Sequence, residues 1–278
     1  MLLNLELFPD LTKEDFLYFK KVLHDLTGIS LSESKRELVK SRIRSHIQDL
    51  GFQTYSEYRR HLTKISNDNH EWQKFVNLFT TNKTDFFREI KHFDFIESNL
   101  VSHWQSEKIK DVKIWCCAAS TGQEPYSLSM VLAKSLPLSV NFKILATDID
   151  TDVLQKSRNG VYPIAKLSEI PKDYQDNYVN IGKGDVRSWF RISDSIRNHI
   201  DFKQHNLIDS TYPGSEIFDV IFCRNVLIYF TPDTIKTLMK KLHLSLKKNG
   251  ILFISHSEAI PYCSDLFRLI QPSIYKKV

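Results

Sequence analysis

Glycine and proline are scarce in this chain of 278 residues, at 8 and 9. That scarcity excludes collagen-like and low-complexity classes, and 26% charged against 42% apolar residues excludes intrinsic disorder. The four cysteines, Cys116, Cys117, Cys223 and Cys263, include an adjacent pair and no C-x-x-C. They suit neither a disulfide framework nor a zinc site, so they read as buried thiols of a cytoplasmic protein, and no metal is expected. Long hydrophobic runs are missing as well: the most apolar stretch, residues 220–230, is cut by Arg224 and Asn225, and no membrane insertion is expected. The opening Met1-Leu2-Leu3-Asn4-Leu5-Glu6 meets an acid before any apolar core, so a secretory signal is not expected. The net charge of +5 is modest, and no basic tract or RNA-binding aromatic motif accompanies it. That balance favours acidic partners and gives no reason to expect nucleic acid.

What is present is enough apolar and aromatic side chain for one large core, or for a large and a small one. Thr12 and Asp15 form a helix N-cap pair ahead of Phe16, Phe19, Leu23 and Leu26 at helical spacing, with Gly28 as the stop. The spacing predicts a helix over residues 13–27. A second is expected over residues 34–50, with Val39, Ile43, Ile47 and Leu50 on one face and Gly51 ending it. Two more fit residues 55–65 and 69–79, so the first hundred residues read as helical.

After Asp111 the pattern changes to short apolar runs alternating with helical stretches. Residues 113–117, 142–147, 219–223 and 251–255 read as buried strands. This is the rhythm of an α/β fold with a doubly wound, mostly parallel sheet. Residues 178–202 break it with Gly182, Gly184 and the alternation of Trp189, Phe190 and Ile192, which predicts a small antiparallel β insertion. The expected domains are therefore residues 1–92, helical with a linker, and residues 93–278, the α/β part.

Three features carry chemistry. Small residues, Ala118-Ala119-Ser120-Thr121-Gly122, follow the first strand, and such a turn lets backbone approach a ligand where doubly wound folds bind cofactors. An ordinary tight strand-to-helix turn looks the same in sequence. The G-x-G-x-x-G fingerprint is absent, which disfavours a pyrophosphate cofactor and hence an NAD-dependent dehydrogenase. The second strand delivers Asp148 and Asp150 to its carboxyl end; Asp148 is the preferred candidate to accept from both ribose hydroxyls of a nucleoside, the alternative being a helix N-cap. Arg224-Asn225 sits inside a core-like strand ending and needs partners, either internal or from a ligand.

Together these blocks resemble the chemotaxis receptor methyltransferase family, CheR. Thr81-Asn82-Lys83-Thr84-Asp85-Phe86-Phe87-Arg88-Glu89 resembles its T-N-x-T-x-F-F-R-E motif. Ala119-Ser120-Thr121-Gly122-Gln123-Glu124-Pro125-Tyr126-Ser127 resembles its A/C-S-T-G-E-E-P-Y-S block, with Gln123 replacing the first Glu. The segments 146–150, 223–230 and 250–258 match in order and spacing, so the resemblance spans essentially the whole chain. It implies an N-terminal helical domain, an S-adenosylmethionine domain with a small β-subdomain, and methylation of glutamate side chains on chemoreceptors during adaptation. By residue-wise resemblance, Asn82, Thr84, Arg88, Ala119, Glu124, Asp148, Asn206, Leu207, Arg224 and Asn225 would line the cofactor pocket.

An already ionised glutamate acceptor calls for positioning rather than a general base, and Arg88, organising charge near the sulfur, and Tyr229, orienting the acceptor, are the candidate positioning groups. The second helix carries Arg36, Lys40 and Arg44 at i, i+4 steps, with Lys35 and Arg42 nearby. Alone, such a stripe reads as a solvated face; the family places receptor recognition there. The insertion around Ile181-Gly182-Lys183-Gly184-Asp185 is where some members bind a receptor C-terminal pentapeptide. A monomer is expected. Alternatives are a same-fold methyltransferase acting on another substrate, disfavoured for amines because Asn225-Val226-Leu227-Ile228 lacks the N/D-P-P-Y prolines, and a catalytically silent cofactor-binding module.

Overall fold

The computed structural model describes residues 8–278; Met1-Leu2-Leu3-Asn4-Leu5-Glu6, from which no secretory signal is expected, lies outside the described residues. The chain forms two compact units, one reaching to Thr81 and including Tyr229–Thr231, the other comprising Asn82–Ile228 and Pro232–Val278.

The first unit is helical. Helix α1 spans Lys13–Thr27, starting where Thr12 Oγ1 accepts from Asp15 N–H at 3.1 Å and ending where Gly28, at φ 73°, donates its N–H to His24 O. After a 3-10 turn at Glu33–Lys35, helix α2 runs Arg36–Asp49, followed by α3 at Tyr55–Leu62 and α4 at His70–Phe79. Each apolar stripe is narrow, so four helices must bury it against one another. Phe16, Phe19, Ile43, Ile47 and Phe75 are fully buried, each phenylalanine contributing about 2 kcal/mol relative to exposure. Leu50, expected on the apolar face of α2, is instead 45% exposed because it caps the helix end rather than facing the core. The carboxylate of Glu71 is buried beside this core. Glu71 Oε1 lies 2.6 Å from His46 Nε2 and accepts from Tyr58 O–H at 2.6 Å. Burial raises its pKa, but these two hydrogen bonds outweigh burial and hold it below the ordinary value.

In the second unit, α5 (Lys91–Phe95) continues through a π-helical turn at Ile96–Val101 into α6 (Ser102–Ser106). Strand β1 (Asp111–Cys117), α7 (Gln123–Ser135), β2 (Asn141–Asp148) and α8 (Thr151–Asn159) follow. Then come β3 (Val161–Pro163), α9 (Lys172–Tyr178), β4 (Val179–Ile181), β5 (Trp189–Ile192), α10 (Asp194–Arg197) and β6 (Ile200–Gln204). The chain closes with β7 (Phe218–Cys223), α11 (Pro232–Ser245), β8 (Leu246–Phe253), β9 (Phe267–Gln271) and β10 (Ile274–Lys277).

The main sheet has the order β6-β2-β1-β7-β8-β10-β9. Its first five strands are parallel, and β10 runs antiparallel to both neighbours. Strands β3, β5 and β4 form a separate antiparallel sheet. Two corrections to the expected insertion follow. It starts earlier, at Val161, and its last stretch leaves it: Phe202 pairs with Ala146, so β6 is an edge strand of the main sheet. The core strands are filled on both faces, with Ile114, Trp115, Cys116 and Cys117 all at 0% exposure, as helices on both sides of a parallel sheet require. The chain moves from β1 to β2 on one side and resumes at β7 on the other. Strands β1 and β7 therefore flank the topological switch point, where open α/β sheets bind ligands at their carboxyl ends.

Candidate active site

At the carboxyl end of β1 the backbone takes an uncommon path. Ala118, Ser120 and Gly122 have φ of 55°, 50° and 97°. Left-handed backbone at non-glycine residues costs about 1 kcal/mol or more each and persists where surrounding structure holds it. Here Ala119 N–H donates to Thr147 O at 2.8 Å, and a Cβ on Gly122 would lie 2.9 Å from Ser157 Cβ. The turn is thus more constrained than an ordinary strand-to-helix connection.

The two aspartates after β2 separate cleanly. Asp150 is the N-cap of α8, accepting from Asp152 and Val153 N–H. Asp148 caps no helix. Its oxygens accept from Ser120 N–H at 2.8 Å and Asp150 N–H at 2.9 Å, tying the turn after β1 to the end of β2. Burial pushes its pKa up to about 6 despite those backbone donors, so ionising it at neutral pH costs energy that further donors would relieve.

Arg224, at the end of β7, has a side chain only 1% exposed and lies between two carboxylates. Its Nη2 donates to Arg88 O at 2.6 Å and sits 3.3 Å from Glu89 Oε2, while Nη1 lies 3.1 Å from Glu124 Oε2. Nη1 nevertheless lacks hydrogen-bond geometry, and neither it nor Nε has a hydrogen-bond partner among the described residues. Burial raises the Glu124 pKa, with Arg224 and the Cys116 thiol, which donates at 2.8 Å, offsetting part of it. A buried cation flanked by two acids with atoms still unpaired is an incompletely satisfied network.

The remaining site candidates of this unit converge on the same sheet edge. Ser120 O–H donates to Asn82 O at 2.9 Å, and Asn82 Nδ2 donates to Asp150 Oδ2 at 2.8 Å. Thr84 and Arg88 are half-buried on the same segment, and Arg88 Nη1 reaches Lys83 O at 3.3 Å. Asn206 and buried Leu207 follow β6, where His205 N–H donates to Asp148 O. Asn225, at φ 57°, donates through Nδ2 to Ser255 Oγ at 2.7 Å. Tyr229 groups instead with the helical unit, where its carbonyl accepts from Ser30 N–H at 2.9 Å.

The basic stripe of α2 is partly engaged. Arg36 bonds to Leu11 O, Lys40 pairs with Asp10 at 2.7 Å, and the Arg44 guanidinium lies 5.3 Å from the Phe8 ring centroid. Arg42 donates to Leu78 O, Thr80 O and Thr81 Oγ1, bracing the end of α4. Lys35 is exposed.

Comparison with known proteins bears on this edge directly. Residues 82–276 match the family description "CheR methyltransferase, SAM binding domain", and residues 14–80 match "CheR methyltransferase, all-alpha domain". The chain belongs to the CheR methyltransferase family. It is 37% identical over 265 residues to chemotaxis protein methyltransferase 2 of Pseudomonas aeruginosa, covering 95% of this chain and 93% of that one. A chemotaxis protein methyltransferase of Borreliella burgdorferi is 37% identical over 96% of this chain and 95% of its own length. That of Escherichia coli is 34% identical over 95% and 91%. S-adenosylmethionine is accordingly the cofactor of the second unit. The residues fit it: Asp148 has acceptor capacity a ribose would use, and the strained 118–122 turn is tied against it through Ser120 N–H.

Two acids of this edge were missed as candidates. Glu89 lies at φ 58° and accepts from Ser255 O–H at 2.7 Å, besides pairing with Arg224. Glu258 accepts from the N–H groups of Ser255, Asn225 and Leu227. Both fall inside family-like blocks, which was the signal available; their partners come from distant segments and leave no local pattern.

Proposed function

We propose that this chain, as a cytoplasmic monomer, methylates glutamate side chains on the cytoplasmic helices of chemoreceptors, forming glutamate methyl esters in chemotactic adaptation. The observation carrying this reading is the pair of pKa-raised acids, Asp148 and Glu124, on either side of the strained turn after β1. S-adenosylmethionine, when bound, supplies an electrophilic methyl group and leaves as S-adenosylhomocysteine. Asp148 accepts from the ribose hydroxyls, and Asn206 with Leu207 holds the adenine. Ala119, Asn82 and Thr84 line the approach. Glu124, Arg224 and Asn225 fix the amino-acid end, and Arg88 organises charge beside the sulfur.

The acceptor needs no general base, because a glutamate of ordinary pKa, about 4.3, is already ionised at neutral pH. Positioning and exclusion of water are the main tasks left to the protein. Tyr229 orients the acceptor carboxylate. Lys35, Arg36, Lys40 and Arg44 meet the acidic receptor helix, with Arg42 holding α2 against the end of α4. The three-stranded sheet supports the tethering role: β4 is an edge strand whose Ile181 is 54% exposed, and Trp189 of the neighbouring β5 is 46% exposed. An extended receptor pentapeptide adds a strand there.

The test is incubation with methyl-labelled cofactor and a receptor cytoplasmic fragment, followed by alkali. Volatile labelled methanol identifies a carboxyl methyl ester. Label that stays on the receptor through alkali, or no label at all, contradicts the reading.

A further inference from the structure

Near Glu89, Ser273 ties two imidazoles together. Its Oγ lies 2.7 Å from His92 Nε2, 2.9 Å from His256 Nδ1 and 2.6 Å from Pro272 O. A carbonyl oxygen can only accept, so the single hydroxyl proton of Ser273 goes to Pro272 O. Both ring nitrogens must then be donors to Ser273 Oγ. That assigns the tautomers, and it leaves His92 Nδ1 and His256 Nε2 as bare lone pairs.

Those lone pairs face a third acceptor. Glu89 Oε2 lies 3.5 Å from His92 Nδ1 and 4.0 Å from His256 Nε2. His92 is 0% exposed, and its Nδ1 has no hydrogen-bond partner among the described residues. Glu89 Oε2 also accepts from the backbone N–H of His256 at 3.3 Å and sits 3.3 Å from Arg224 Nη2, but with these tautomers no proton lies between it and the two ring nitrogens, an arrangement that a cation between the three would complete. All three ligand atoms lie within 4.8 Å of one another. Ligands about 2.05 Å from a tetrahedral Zn2+ would be about 3.3 Å apart, so the widest pair must close by up to about 1.5 Å, a movement open to the half-exposed His256 side chain.

We propose that Glu89, His92 and His256 form a binding site for a divalent transition metal of the Zn2+ class, with Ser273 orienting both histidines from behind. Two imidazoles and one carboxylate suit Zn2+ better than Mg2+ or Ca2+, which prefer all-oxygen shells. Histidine ligands held by a hydrogen bond on the other ring nitrogen are the usual outer-shell arrangement of such sites. The His92 ring packs edge-on against the stacked Phe253 and Phe222 rings, with centroids at 5.2 and 6.4 Å, so its orientation is held. Access is open: His92 and His256 line a cavity of about 390 Å3, and the His256 side chain is 43% exposed. The fourth position faces that cavity and takes water. Arg224 and Lys91 are the nearby cations, but Glu89 and Glu124 bracket Arg224, so the neighbourhood accommodates added positive charge.

The test is calorimetric titration of the tag-free, chelator-stripped full chain with Zn2+ alone. One tight equivalent is expected in the wild type. His256→Gln, at an exposed position that folding tolerates, should weaken that equivalent by about 100-fold, and Ser273→Ala by about 10-fold. His92→Ala is avoided because it opens the core. No tight equivalent in the wild type, or one that His256→Gln leaves unchanged, overturns the proposal, since Zn2+ held by other surface histidines survives that substitution.

Discussion

Two buried carboxylates, one in each unit, meet opposite fates. Glu71 in the helical unit has His46 and Tyr58 against one oxygen, and its pKa is held below the ordinary value although burial opposes this. Asp148 at the sheet edge has only backbone donors, and burial wins, raising it to about 6. Glu124 is raised as well, even with Arg224 beside it. The acid of the helical core is held by side-chain donors of its own unit, whereas at these two acids burial outweighs the donors they have. The contrast marks Asp148 and Glu124 as candidates for function.

The largest effect separating the units is expected from Glu71→Ala. It strands the Tyr58 hydroxyl and the His46 ring nitrogen in a core, and should destabilise the helical unit by about 3 kcal/mol while leaving the cofactor affinity of folded protein unchanged. Chemical denaturation followed by titration of the folded variant checks both halves. Next comes Arg88→Ala, which should lower methyl transfer and cofactor affinity by about 10-fold with little change in stability. Retention of full activity and affinity would remove Arg88 from the site. Reversing the charge of Arg36, Lys40 and Arg44 together should slow receptor methylation several-fold at low salt, with the difference shrinking as salt rises through about 0.15 M. An unchanged rate at low salt would return the α2 stripe to a merely solvated face.

The smallest effect is on pH dependence, and the two acids should differ in sign. Because the folded pKa of Asp148 is raised, its contribution to stability is fully present below its unfolded value and is lost as pH rises through about 6. Ribose hydroxyls donate to the ionised form, so S-adenosylhomocysteine affinity should fall as pH drops below about 6. The folded pKa of Glu71 is lowered, so its contribution is present above the ordinary carboxylate value and is lost as pH falls through its depressed folded value. Titration and thermal melts across about pH 4 to 8 would show affinity failing before the helical unit loses this support. The reverse order would break the comparison.

Much of this was legible in the residues themselves. Thr12 with Asp15 and then Gly28 marked both ends of α1, because caps are local chemistry. The buried strands β1, β2 and β7 showed as continuous apolar runs. Strand β6 did not: only Phe202 of its five residues is buried, so an edge strand looked like part of the insertion. The β9–β10 hairpin was missed for the same reason, since β9 buries only Phe267. At the site, the sequence could offer Asp148 and Asp150 as alternatives, and only the hydrogen bonds made one a helix cap and the other a tie between strand ends. Glu89 and its convergence with His92 and His256 depend on segments more than 160 residues apart meeting across the sheet edge, as in the Glu89–Ser255 bond with a separation of 166. No local spacing encodes that.

The most direct measurement is equilibrium titration of the wild type and Asp148→Ala with S-adenosylhomocysteine, both verified as folded by circular dichroism. Loss of two charge-assisted hydrogen bonds, about 3 kcal/mol, should weaken a single wild-type site by about 100-fold. No binding by the wild type, or equal affinity in the two proteins, would contradict a nucleoside site at the carboxyl edge of this sheet.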